Sequence, residues 1–244
     1  MCLLIVLRGR FPRHPVVVGG NRDESTDRKS APPGLWVGER RRVLSPRDRV
    51  AGGTWLGIND RGLFAGITNW RRGPVVPEAP SRGHLPHLAL DQNGLDDAVA
   101  AVRERAEAAP HSGFQLVLAD ADRIVVVRNT EAGLAVIPWA APTVLITNEH
   151  GPGELEPRRL AAAVAPQPSA ERQLDALAPL LQERGGDGEH AIAKHGERYA
   201  TVSSSLIAVP ADDAAGLLWR YAPGPPDVTS YRNYGNLGRR LAED

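Results

Sequence analysis

Cysteine, methionine, aromatic residues and net charge are all scarce in this sequence of 244 residues, which holds one Cys, one Met and three Phe. A lone thiol, Cys2, cannot close an internal disulfide, so packing alone must hold the fold together. Neither sign of charge dominates: Lys plus Arg and Asp plus Glu number 29 each. No long-range field is left to recruit nucleic acid or an anionic lipid surface. No apolar run approaches the roughly 20 residues that cross a bilayer. The run Cys2 to Leu7 meets Arg8 and Arg10 at once and has no basic segment before it, so it does not read as a signal peptide. The expected compartment is the cytoplasm, and the expected partner is a small-molecule ligand or substrate. With 42% hydrophobic residues the chain can bury one sizeable core, and residues 1–244 read as a single domain.

Short β-rich runs fill the first seventy residues: Leu3 to Leu7, Val16 to Val18, Thr54 to Ile58 and Leu63 to Thr68. Two antiparallel hairpins fit them, the second turning at Asn59-Asp60-Arg61-Gly62. From Leu85 to Ala109 the apolar spacing becomes helical, with a break near Asn93-Gly94. Strands return at Phe114 to Ala119, Ile124 to Arg128, Leu134 to Ile137 and Val144 to Thr147. Helices are expected from Pro157 to about His195, then strands at Ser205 to Val209 and Leu217 to Tyr221, then a Gly/Pro/Tyr-rich tail. Helices gathered in blocks can cover the outer faces of two stacked sheets. The pattern predicts an α+β fold, and a four-layer αββα sandwich of two antiparallel sheets satisfies it. A single sheet with helices on one side would give nearly the same string.

The position of the only cysteine carries the chemistry. Removal of Met1 would leave Cys2 with a thiol and a free α-amine, whose reference pKa values of about 8.5 and about 8 lie near neutrality. An amine partly neutral at pH 7 can take the thiol proton directly or through a water, so one residue supplies nucleophile and base. The competing reading makes Cys2 a small hydrophobe at the start of a buried strand.

Other clusters say less. His84 and His87 stand at helical spacing, but nothing completes a metal site around them. Ser203-Ser204-Ser205 lacks a nucleophile elbow and reads as a polar strand start. Gly19-Gly20 lacks a dinucleotide fingerprint and fits a backbone passing close to Cys2. The five tryptophans read as core or rim residues, with Trp70 a candidate for a pocket wall, and Arg40-Arg41-Arg42 reads as a solvated loop.

Asn21-Arg22-Asp23-Glu24, preceded by Met1-Cys2-Leu3-Leu4-Ile5 and Val16-Val17-Val18-Gly19-Gly20, resembles the signature of the NRDE family, also called the transport-and-Golgi-organisation family. Further matches are Gly52 to Ile58, Gly66-Ile67-Thr68-Asn69, Gly113 to Asp120 and Ile146-Thr147-Asn148. That family is similar to the N-terminal nucleophile (Ntn) hydrolases of the penicillin acylase and bile-salt hydrolase group. The resemblance implies an αββα core, Cys2 as nucleophile, Asp23 in contact with its amine, and Asn69 and Asn148 as oxyanion donors. Independently of it, a developing oxyanion needs fixed neutral donors, which Asn side chains can be, although Asn at strand ends is also ordinary turn chemistry. Arg22 is expected to be accessory. No metal or organic cofactor is implied. Many relatives carry an Arg in a Tyr-Gly-Thr-Arg segment where this chain reads Tyr199-Ala200-Thr201-Val202. The same resemblance implies a second reading, a non-catalytic carrier or homeostasis protein for haem or acyl-lipid metabolites.

Overall fold

The computed structural model describes residues 2–155, 160–185, 191–212 and 214–243. It opens on a long hairpin of β1 (Leu3–Phe11) and β2 (His14–Ser25), which pair antiparallel with Leu3 opposite Asn21 and Leu7 opposite Val17. Strand side chains alternate between faces, and here both faces are covered, so alternation sorts residues between two cores rather than between core and water. Leu4, Val6, Val16 and Val18 enter one apolar cluster, while Leu3, Ile5, Leu7 and Val17 enter another.

Four strands follow, β3 (Ser30–Val37), β4 (Arg42–Asp48), β5 (Leu56–Asn59) and β6 (Phe64–Asn69), then helices α1 (His84–Leu90) and α2 (Leu95–Ala108). Next come β7 (Phe114–Ala119), β8 (Ile124–Thr130), β9 (Gly133–Trp139), β10 (Thr143–Thr147), α3 (Ala161–Val164) and α4 (Ala170–Leu181). The chain closes with β11 (Tyr199–Val209), β12 (Leu218–Ala222), β13 (Arg232–Asn233) and α5 (Leu237–Ala242). One sheet runs β10-β1-β2-β11-β12-β13 and the other β3 to β9 in sequence order, with antiparallel pairing throughout.

The sheets stack on a shared core that joins Leu4, Val6 and Ile207 of the first to Leu44, Phe64 and Val126 of the second. Burying Phe64 completely is worth about 2–3 kcal/mol. On the outer face of the seven-stranded sheet, Leu85, Leu90, Ala98 and Val102 of α1 and α2 meet Phe114, Leu116 and Val127. On the outer face of the other sheet, Leu174, Leu177 and Leu181 of α4 meet Ile5, Val17 and Leu206. Ser169 caps α4, its hydroxyl accepting the Arg172 N–H. The architecture is therefore the α+β, four-layer αββα sandwich of two antiparallel sheets. Among the described residues, no helix is long and apolar enough to cross a membrane.

Several local readings need correction. β3 and β4 were not among the expected strands, because Ala31-Pro32-Pro33-Gly34 interrupts the pattern; it lies at the sheet edge, where the register with β4 shifts between Ala31 and Gly34. The second helical block ends at Leu181, and residues 191–198 are irregular; 156–159 and 186–190, within the expected helical span, lie outside the described residues. Ser203 to Ser205 sit buried in the interior of β11, each at 1% exposure, rather than at its start.

Candidate active site

Cys2 stands one residue before β1. Leu3 pairs with Thr147 on one side and Asn21 on the other, so one further step of each ladder brings Asn148 and Arg22 to flank Cys2. Its thiol is part-buried against the Asp23 backbone, accepting the Asp23 N–H at 3.3 Å and pointing to the Asp23 carbonyl at 3.4 Å. Gly20 permits this close pairing, since a Cβ there would stand 3.1 Å from the Leu3 carbonyl oxygen. Burial, followed by the Asp23 charge, pushes the thiol up to about 12. With Cys2 acylated on its nitrogen by Met1, the thiol is thus held protonated at neutral pH.

The Asp23 side chain is fully buried. Its Oδ1 accepts the Thr201 hydroxyl at 2.6 Å, and Lys194 Nζ lies 3.7 Å from Oδ2. Thr201 in turn accepts the Lys194 N–H at 2.9 Å, and the Tyr199 hydroxyl donates to the Asp23 carbonyl at 2.9 Å. Burial raises the carboxyl to about 7, against the lowering effect of the Thr201 hydrogen bond. Thr201 pairs with Asp23 and Ser203 with Arg22, which leaves Val202 as the extra residue of a bulge.

A cavity of about 630 Å³ opens at this end of the sandwich, lined by Cys2, Arg22, Asp23, Trp55, Asn69 and the 78–83 loop, among others. The Arg22 guanidinium lies 4.3 Å from the centre of the Trp55 ring, is 7% exposed, and has an Nη1 without a hydrogen-bond partner. Its carboxylate neighbour is Glu24 at 3.7 Å. Asn69 ends β6 with its side chain exposed at the cavity. Asn148 is buried at 2% exposure and is not part of the lining; its carbonyl accepts the Arg71 N–H at 2.9 Å, and its Oδ1 has no hydrogen-bond partner.

The structure thus gathers Cys2, Arg22, Asp23 and Asn69 around one cavity and sets Asn148 beside the strand end behind it. Trp70 does not line this cavity; it is buried, with Arg72 and Arg128 within 4.2 and 4.9 Å of its ring centre. His84 bonds the Ala51 carbonyl and His87 meets the edge of Trp36. Among the described residues no three His, Cys, Asp or Glu side chains gather into a metal site. Sequence reasoning missed Lys194, Thr201, Tyr199 and Arg82. Of these only Tyr199 and Thr201 had a signal, their place in the Tyr199 to Val202 segment.

Residues 1–185 match the model of the family described as Transport and Golgi organisation 2. The chain belongs to that family. The mouse Transport and Golgi organization 2 homolog is 31% identical over 130 residues, which cover 49% of this chain and 45% of the mouse protein. The human homolog matches over the same length at 31% identity. The chain spans about half the length of these curated family relatives. Among solved structures, penicillin V acylase from Agrobacterium tumefaciens superposes with a TM-score of 0.60 at 14% identity, over 99% of this chain and 88% of that one. A mutant conjugated bile acid hydrolase from Clostridium perfringens gives 0.54 at 11% identity, over 100% and 95%. At these identities the likeness establishes the fold, which this member of the Transport and Golgi organisation 2 family shares with Ntn hydrolases.

Proposed function

We propose that this protein is an N-terminal-cysteine hydrolase that cleaves a C–N (amide) bond of a small molecule, with Cys2 freed by removal of Met1. The observation that carries the reading is the sole thiol, seated at a strand start against Asp23 and opening on a cavity able to hold a small ligand. Freeing the Cys2 amine adds a positive charge beside a thiol that burial and Asp23 otherwise hold protonated, and an adjacent cation favours the thiolate. In acylation the sulfur bonds to the amide carbonyl carbon, and the amine relays the thiol proton to the leaving nitrogen as the C–N bond breaks. Asn69 and Asn148 steady the tetrahedral oxyanion. Water then attacks the thioester and gives a proton back through the same amine, releasing the acid and restoring the thiol.

In this reading Asp23 holds and orients the Cys2 amine, and Arg22 is accessory. Val202 brings no cation to the site, and the cation beside Asp23 here is Lys194, 3.7 Å away. The test is a panel of linear and cyclic amides assayed on the mature protein. Cleavage that disappears in Cys2→Ala is the expected result. Undiminished cleavage by Cys2→Ala contradicts it, and saturable binding of haem or acyl-lipid without any turnover would favour the carrier reading instead.

A further inference from the structure

The arginines around the cavity are not equally partnered. Three guanidinium groups line it, those of Arg22, Arg28 and Arg82. Arg28 is satisfied by Asp48, whose Oδ2 it meets at 2.6 and 3.0 Å. Glu24 is shared, 3.7 Å from Arg22 and 3.9 Å from Arg28. Asp23 is occupied with Thr201 and Lys194. Glu78 sits exposed at the rim and does not figure among the charges acting on Arg82, which are Glu24, Arg28 and Cys2. Four carboxylates, Asp23, Glu24, Asp48 and Glu78, line the cavity with the three arginines, yet among the described residues Arg82 is the one of the three with no carboxylate at ion-pair distance.

Arg82 is also built to receive something. Its Nη1 donates to the Gly113 carbonyl at 3.0 Å, which fixes the guanidinium plane. Among the described residues, no carboxylate lies within ion-pair distance of it and no acceptor meets its Nε or Nη2. Burial disfavours its charge, so an anion placed there would relieve a cost the protein now carries. A planar fork with free N–H groups and no carboxylate of its own at ion-pair distance matches the carboxylate of a ligand. Leu4, Trp55, Ile67 and Val76 of the same cavity offer apolar wall for the rest of such a molecule.

We infer that the ligand of this cavity bears a carboxylate and that Arg82 docks it, with Arg22 as the second, deeper cation. The inference rests on the amidohydrolase reading for its reaction class, which makes the substrate an N-acyl amino acid or an amide of similar charge. It does not rest on turnover for its binding geometry.

Calorimetry on the full Cys2→Ala chain tests it with two probes, N-hexanoylglycine and the neutral N-hexanoylglycinamide. The acid is expected to bind at least about tenfold more tightly than the amide, the scale of one charge-assisted hydrogen-bonded pair. That preference should fall toward parity when Arg82→Met is added and persist in part with Arg82→Lys. Equal affinities, no binding of the acid, or a preference that survives Arg82→Met would overturn the inference. A loop-anchoring role for Arg82 alone would lower thermal stability without moving the acid-to-amide ratio, which also counts against docking. Hydrolysis is scored separately on the unmutated protein. Arg82-dependent binding of the acid without Cys2-dependent cleavage would sink the amidohydrolase reading and leave the carboxylate site standing. Cys2-dependent cleavage of acid and amide with equal kcat/KM would do the reverse.

Discussion

Asp23 and Asp48 border the same cavity and are held in opposite ways. Asp48, at the end of β4, takes two N–H groups of Arg28 on Oδ2 and the Val50 N–H on Oδ1 at 2.9 Å. Burial pushes its carboxyl up, but these bonds outweigh it and the net shift is downward. Asp23, on β2, is buried more deeply, is relieved by the Thr201 hydroxyl, and rises to about 7. One carboxylate is held in its charged form as part of the frame. The other is pushed toward neutrality, the kind of shift that the proposed role of Asp23 beside the Cys2 amine would use.

The largest effect that separates them is on catalysis. Asp23→Asn is expected to lower kcat/KM by about 100-fold or more, since the amine loses the charge that orients it. Asp48→Asn should instead show its main effect in urea unfolding, a loss of about 1–3 kcal/mol from the broken Arg28 bonds. Equal activity losses from the two would erase the distinction.

Next in size is the pH dependence of stability, where the two should have opposite signs. The depressed pKa of Asp48 means that its contribution is present above the unfolded value of about 3.9 and is lost as pH falls through the folded value. The raised pKa of Asp23 means that its contribution is present below that unfolded value and is lost as pH rises through about 7. Relative to the unmutated chain, Asp23→Asn should therefore be more stabilising at pH 8 than at pH 5, by roughly 2–3 kcal/mol. Urea titrations at the two pH values check this, and no difference would mean that Asp23 is not the titrating group.

The smallest effect belongs to Lys194, whose part-exposed ammonium acts on Asp23 from 3.7 Å. Lys194→Met should move the acidic limb of the kcat/KM profile upward by about half a pH unit, and Lys194→Arg should restore it. A change in KM alone, with the limb unmoved, would assign Lys194 to the loop rather than to Asp23.

These two aspartates also show what the sequence could reveal. Asp23 was visible because it sits in a four-residue signature just after a strand of valines, and Cys2 because it is the only thiol. Blocks of strands and helices pointed to the α+β class and allowed the four-layer sandwich without separating it from a single sheet covered on one side, and the family resemblance is what implied the αββα core. Asp48 was not visible, since β4 itself hid behind the Pro32-Pro33 break and its partner Arg28 comes from the loop before β3. Lys194 and Arg82 lie on irregular segments with no motif, brought to the site by the β11–β2 pairing and by a bond to Gly113. Contacts of that kind depend on register and loop path, which periodicity does not encode.

Catalysis by Cys2 requires that it have a free amine. The intact mass of the protein purified from its native host decides it: the account predicts a chain that lacks Met1 and begins at Cys2. Full retention of Met1 would keep that nitrogen in a peptide bond, leave the thiol near 12 without its base, and contradict the proposed hydrolase.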